Sequence, residues 1–234
     1  MKTVLLAGGR GVRLRPLTYS IPKPLLPVGE RPILELIIER LKTFGLTDLV
    51  IAVGYRAELI ETYFRDGAQL GVHIEYVREV EPLGTAGPLA LVRDQCDLGP
   101  DESLLVMNGD LLTELDMPQV VDFHERGGHD LTVVTREHLL ENPYGVIERD
   151  GDRILSIVEK PVVPCTVNAG VYVFRASTLD LVPSQAVVDM PELMNIAVAA
   201  GRDVVAYPFD GPWLAIDRIE HLTEALGVVT EADA

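Results

Sequence analysis

Cysteine is almost absent from this sequence. Cys96 and Cys165 are the only two in 234 residues, with no CxxC pair and no zinc-ligand spacing. That excludes a disulfide framework and makes a reduced, cytoplasmic chain the expectation. Long apolar runs are missing as well. The longest are strand-length, which leaves no membrane span to propose. The opening stretch Met1–Gly9 is too short for a signal peptide and runs directly into a glycine loop. No Ser-rich linker, internal repeat or low-complexity tract divides the chain. Five histidines, His73, His124, His129, His138 and His221, lack metal-ligand spacing and read as surface or satisfied core residues. Positive charge is in deficit: 20 Lys and Arg against 36 Asp and Glu give a net charge of −16. A duplex nucleic acid is therefore not the expected partner.

What remains is ordinary globular material, 47% hydrophobic and 24% charged. A chain of this length buries about 70% of its surface on folding, enough for a sizeable core. One further absence is local. Residues 1–29 hold Lys2, Arg10, Arg13, Arg15 and Lys23 and no acid, so this segment carries +5 and the remainder −21. A glycine-rich, purely basic loop in an acidic protein points to an anion site.

The hydropathy pattern alternates. Short apolar runs at Lys2–Ala7, Leu49–Val53, Val72–Val77, Ser103–Met107 and Leu131–Thr135 read as strands. Helical periodicity covers Pro32–Phe44, Ala57–Phe64, Thr85–Asp94 and Pro118–Arg126. That is the signature of βαβ units: a Rossmann-like α/β fold, with helices on both faces of a mainly parallel sheet. The pattern then loosens into a hairpin around Asp150-Gly151-Asp152, a strand at Val171–Phe174, a helix at Pro191–Ala200, a strand at Val204–Tyr207 and a helix at Ile219–Val228; residues 231–234 are expected to fray. A single domain over residues 1–234 is expected, with a nucleotide-binding half to about residue 115 and a second half over about 116–230.

The loop after the first strand reads Ala7-Gly8-Gly9-Arg10-Gly11-Val12-Arg13-Leu14-Arg15-Pro16-Leu17-Thr18, then Pro22-Lys23-Pro24. Its glycines leave backbone N–H groups open to a phosphate chain, while Arg13 offers a fork and Lys23 a point charge. Two familiar phosphate loops are excluded by spacing. The dinucleotide fingerprint needs a third glycine where Leu14 stands, and no GK[ST] ends the loop. An NAD-binding protein is disfavoured on the same ground.

Taken together, Leu6–Thr18 and Pro22–Leu25, Glu81–Pro88, Asn108-Gly109-Asp110, Tyr144-Gly145-Val146, Glu159-Lys160-Pro161 and Asn168–Tyr172 resemble the motifs of sugar-1-phosphate nucleotidyltransferases, nearest to mannose-1-phosphate and heptose-1-phosphate guanylyltransferases. The resemblance covers nearly the whole chain. The left-handed β-helix tail of longer members is not expected, because the sequence ends after its last helix. The resemblance implies an NTP and a sugar 1-phosphate as partners, Mg²⁺ as cofactor, and NDP-sugar and pyrophosphate as products. It leaves a homo-oligomer open.

On that resemblance Arg13 and Lys23 hold the triphosphate, and Ala7, Gly8, Gly9 and Gly11 line its path. The Gly84-Thr85 turn packs against the base. Glu79 or Glu81 accepts from the adjacent N1 and N2 of guanine, which favours GTP. Lys160 binds the sugar phosphate, Glu159 accepts from sugar hydroxyls, and Gly145, Asn168 and Gly170 complete the sugar wall. Without the family match, Glu159-Lys160 reads as an exposed ion pair. Asp110, at a strand's C-terminal end, is placed for Mg²⁺; its other reading, a helix N-cap, is opposed by its distance from the next helix. The family's second metal Asp falls at Ala215 in Trp213-Leu214-Ala215-Ile216-Asp217. Asp217, one strand step on, replaces it, or the chain is a weakened, regulatory relative.

Overall fold

The computed structural model describes residues 1–232, with side chains to residue 227. Residues 233–234, the end of the stretch expected to fray, lie outside the described residues; α6 (Ile219–Ala232) includes the two before them.

Seven strands form one sheet. In chain order they are β1 (Thr3–Ala7), β4 (Asp48–Val53), β5 (His73–Arg78), β6 (Ser103–Asn108), β8 (Leu131–Glu141), β11 (Val162–Arg175) and β12 (Val204–Pro208). Two-residue strands β2 (Pro27–Val28) and β3 (Arg31–Pro32) pair with each other. So do β9 (Val146–Asp150) with β10 (Arg153–Val158), and β7 (Leu111–Thr113) with β13 (Trp213–Ala215). The large sheet runs β12-β8-β11-β6-β1-β4-β5. All its neighbours are parallel except that β11 runs against both β6 and β8. The expected mixed, mainly parallel sheet is the one found.

Alternate residues of each central strand feed opposite faces, as period-two geometry requires. Leu5, Leu49, Ile51, Leu105 and Met107 pack under α1 (Ile33–Thr43), α2 (Ala57–Phe64), α4 (Met117–Gly127) and α6. Val4, Val50, Ala52, Leu104 and Val106 pack under α3 (Pro88–Gln95) and α5 (Met190–Ala199). Asp116, not Asp110, caps α4: its Oδ1 accepts from the Gln119 N–H at 3.1 Å. Among the described residues no helix is long and apolar enough to cross a membrane, and both cysteines are free.

The structure corrects three boundaries in particular. α3 begins at Pro88 rather than Thr85, because residues 85–87 bond to another segment instead of winding. β8 and β11 run well past the expected Thr135 and start before the expected Val171, forming a two-stranded arm through Glu141 and Val162. The arm has no buried face to impose a pattern: Leu139, Leu140, Val162 and Val163 are all exposed.

His124 is enclosed between α4 and the sheet, its Nδ1 2.9 Å from Thr132 Oγ1. Burial pushes its pKa down to about 4; His129 and Arg175 act in the same direction, and Asp130 opposes them. The folded value lies below the unfolded one of roughly 6.5. The unfolded chain therefore takes up this proton first, and stability falls as pH drops from about 6.5 to about 4. The expected loss is on the order of 2–3 kcal/mol. Denaturation of wild type and His124→Gln at both ends of this window checks it. The variant should lose less on acidification, and equal losses remove His124 as the cause.

Candidate active site

Because β1, β4, β5 and β6 are parallel, their C-terminal ends open on one edge of the sheet. A cleft of about 510 Å³ lies there, where ligand crevices of such sheets form. From the loop after β1 it is lined by Ala7, Gly8, Gly9, Gly11, Arg13 and Lys23. That loop winds through three single 3₁₀ turns, Val12–Leu14, Leu17–Tyr19 and Lys23–Leu25. Buried Leu14 and Thr18 pin it to the body, and the Thr18 hydroxyl donates to the Gly11 carbonyl at 2.8 Å. From outside, Tyr55 and Arg56 hold it. The Tyr55 hydroxyl donates to the Thr18 carbonyl at 3.2 Å, and the Arg56 guanidinium to that of Tyr19 at 2.6 Å. The loop's basic side chains thus stand on a fixed frame.

Lys23 is 12% exposed, and its Nζ donates to both Asp110 and Asp217, the latter at 3.1 Å. Arg13 donates to the other Asp217 oxygen at 2.9 Å. Asp110 follows β6, and Asp217 follows β13, 107 residues further along. A backbone bond from the Ile216 N–H to the Asp110 carbonyl, 2.9 Å, locks the two segments together. Both carboxylates reach the same ammonium, so their oxygens lie within the span of two hydrogen bonds. Ala215 also lines the cleft. The Asp217 N–H donates to His221 Nδ1 at 3.2 Å, which holds that turn from α6.

On the far side stand Glu79, Gly84 and Thr85. Glu79 is half-buried, and burial raises its pKa against the lowering effect of the Leu83 N–H, which donates to its Oε2 at 2.9 Å. Its Oε1 lies against Gly8, where a Cβ would collide with it. Only glycine at position 8 lets the loop after β1 and this carboxylate approach so closely. Glu81 is exposed and does not line the cleft.

Gly145, Glu159 and Lys160 lie on the arm and hairpin side; all three are exposed and none lines the cleft. Glu159 and Gly145 touch, and no ion pair joins Glu159 to Lys160 among the described residues. Asn168 and Gly170 sit at an irregularity in β11, where its register on β8 shifts, with the Gly170 N–H donating to Asn168 Oδ1 at 2.9 Å. Gly170 packs on Asn108, which does line the cleft, so this bulge stands one layer behind its wall.

At the opposite ends of the strands, ligand atoms of Asp48, His73 and Glu75 come within 4.8 Å of one another, a grouping the histidine spacing did not suggest. The Lys2 ammonium already bridges its two carboxylates, 2.6 Å from Glu75 and 3.3 Å from Asp48. Sequence reasoning also missed Asn108 as a lining residue, the Tyr55-Arg56 brace, and Asp189, whose contacts are described below. The Asp189-Met190-Pro191 run does signal a helix start, but nothing in it names a partner.

The parallel core, the helices on both faces and the cleft at the strand ends define an α/β protein with its ligand crevice at the carboxyl ends of the strands. The chain belongs to the nucleotidyl transferase family, which it matches over residues 2–231. It is 37% identical over 225 residues to the mannose-1-phosphate guanyltransferase of Saccharomyces cerevisiae, covering 93% of this chain and 62% of that one. The UTP–glucose-1-phosphate uridylyltransferase of Synechocystis is 33% identical over 245 residues, 97% of this chain and 62% of that one. The chain thus spans about 62% of the length of these relatives. The crystal structure of HddC from Yersinia pseudotuberculosis shares the fold, with a TM-score of 0.76 at 24% identity over 97% of this chain and 99% of that one.

Proposed function

We propose that the cleft transfers a nucleotidyl group from an NTP, GTP by preference, to a sugar 1-phosphate of mannose or heptose type. A phosphate oxygen of the sugar attacks the α-phosphorus in line. The α–β anhydride bond breaks, and pyrophosphate leaves. No protein nucleophile is required, so the protein's contribution is alignment and charge neutralisation. The observation that carries this reading is the convergence of Arg13, Lys23, Asp110 and Asp217 on one cleft behind a glycine-lined loop.

Arg13 and Lys23 bind the triphosphate and stabilise the charge that develops on it. Asp110 and Asp217 are hard oxygen donors side by side, which suits Mg²⁺; when bound, that ion neutralises phosphate charge. Lys160 and Glu159, carried on the arm side, are the residues for the sugar phosphate and sugar hydroxyls.

Pyrophosphate release from a panel of five NTPs with mannose, glucose and heptose 1-phosphates tests the reading. GTP should turn over best. Glu79, which lines the cleft with Oε1 unclaimed by Leu83, is the residue for the guanine N1 and N2 donors. Glu79→Gln should lower kcat/KM for GTP by about tenfold or more, while Glu81→Gln stays near wild type. A clear pyrimidine preference would sink guanylyl transfer and favour uridylyl or thymidylyl transfer to a hexose 1-phosphate, in line with the 33% identity to the Synechocystis enzyme. Ala215 motivates the other reading, a nucleotide-sugar-binding regulatory subunit. Nucleotide binding without pyrophosphate release would establish it.

A further inference from the structure

Residues 83–87 form the turn between Glu79 and α3. Gly84 lines the cleft, so the position of this turn sets the shape offered to a base. Almost all the bonds that hold the turn come from one remote segment, the N-terminal end of α5. The Leu83 carbonyl accepts from the Val188 N–H at 2.9 Å, and the Val188 carbonyl accepts from the Ala86 and Gly87 N–H groups at 2.9 and 3.1 Å.

At the centre lies a reciprocal cap between segments 104 residues apart in sequence. The Thr85 N–H donates to Asp189 Oδ1 at 3.1 Å, and the Thr85 hydroxyl accepts from the Met190 N–H at 2.7 Å. Asp189 occupies the N-cap position of α5, yet its side chain makes no cap bond within its own helix. Thr85 satisfies the helix's N–H from outside, and Asp189 in turn satisfies that of Thr85. This is the logic of a capping box divided between two segments. Gly84, at φ +80°, faces the same strut: a Cβ there would clash with the Val188 carbonyl and Asp189 Oδ1.

We propose that Asp189 is a positioning residue for nucleotide selection, holding the base-side turn at the depth that lets Gly84 and Glu79 meet one base and not others. The inference rests on the nucleotidyl-transfer reading above. Asp189 does not line the cleft, so it acts through Thr85 and leaves the phosphate chemistry of Arg13 and Lys23 untouched.

The test is steady-state kinetics of wild type, Asp189→Ala and Asp189→Asn with each NTP, together with thermal denaturation. Asp189→Ala should raise KM for the preferred NTP about tenfold and narrow discrimination between bases by a similar factor, with kcat within about threefold. Asp189→Asn should recover most of both, because its side-chain oxygen still accepts from the Thr85 N–H. Thr85→Val removes the hydroxyl that caps Met190 and should shift KM the same way. The double variant should be no worse than the worse single one, as expected of two partners in one interaction. A lower Tm with unchanged KM and base discrimination reduces Asp189 to a structural cap and overturns the proposal. Should Asp189→Ala fail to fold, Asp189→Ser, which keeps a helix-capping hydroxyl but a shorter reach toward Thr85, decides on the same criteria. A wild type that neither binds an NTP by calorimetry nor releases pyrophosphate removes the nucleotidyl-transfer reading and this proposal with it. An active wild type beside indifferent variants removes this proposal alone.

Discussion

Lys23→Ala is expected to lower kcat/KM by at least two decades while leaving the fold in place. Two decades correspond to about 2.7 kcal/mol of transition-state stabilisation, the scale of a well-aimed cation on a phosphate undergoing transfer. The structure supplies the aim. Lys23 opens the last 3₁₀ turn of a loop whose preceding turn is held by Thr18, Tyr55 and Arg56, and its ammonium stands between Asp110 and Asp217 inside the cleft. Its contribution to stability is small. The two carboxylates are 26% and 33% exposed, so water takes over much of their solvation when the ammonium is removed. Circular dichroism and Tm should therefore stay near wild type. Lys23→Arg should recover little, since a planar fork does not replace a compact point charge between two carboxylates. Activity of Lys23→Ala within threefold of wild type would remove Lys23 from the transition state.

The second large effect concerns the carboxylate pair. Asp217→Ala should cost as much activity as Asp110→Ala, on the order of 100-fold each, and raised Mg²⁺ should partly rescue both. One carboxylate holds Mg²⁺ poorly, because the ion keeps several waters and leans on carboxylates together with phosphates. In the proposed reaction Asp217 is the second ligand: it shares the Lys23 ammonium with Asp110, and the Ile216–Asp110 backbone bond fixes their separation. Ala215→Asp, which restores the family's residue two positions earlier, should then bring no gain. A silent Asp217→Ala together with a faster Ala215→Asp would mean that the second ligand is missing and that catalysis is vestigial. Asp217→Asn separates charge from shape. It keeps an oxygen for the Arg13 and Lys23 donors, and its loss should approach that of the alanine variant if negative charge is what matters.

Much of this was legible in the residues themselves. The strand from Lys2, the glycine-rich basic loop and the βαβ alternation are local patterns, and local forces decide them: apolar periodicity, glycine tolerance and the charge of a short segment. The arm was not legible, because no residue of β8 beyond Thr135 or of β11 before Asn168 is fully buried and most are exposed, so no core imposes a pattern; their pairing with each other makes them strands. The start of α3 was misplaced for a related reason. The Ala86 and Gly87 N–H groups bond to Val188 and that of Thr85 to Asp189, and no neighbour in sequence announces it.

The amino-acid sequence by itself determined the kind of sheet, the basic, glycine-rich character of the first loop, and the side chains available for chemistry. Tertiary structure alone decided which of them act together. It joined Asp217 to Asp110 across 107 residues, chose Glu79 over Glu81 for the cleft wall, and set Asp189 behind Thr85. The physical reason is range. Helix, strand and turn preferences are settled within a few residues of chain, whereas a site is assembled by strand order and by single hydrogen bonds between segments that only the folded sheet brings into contact.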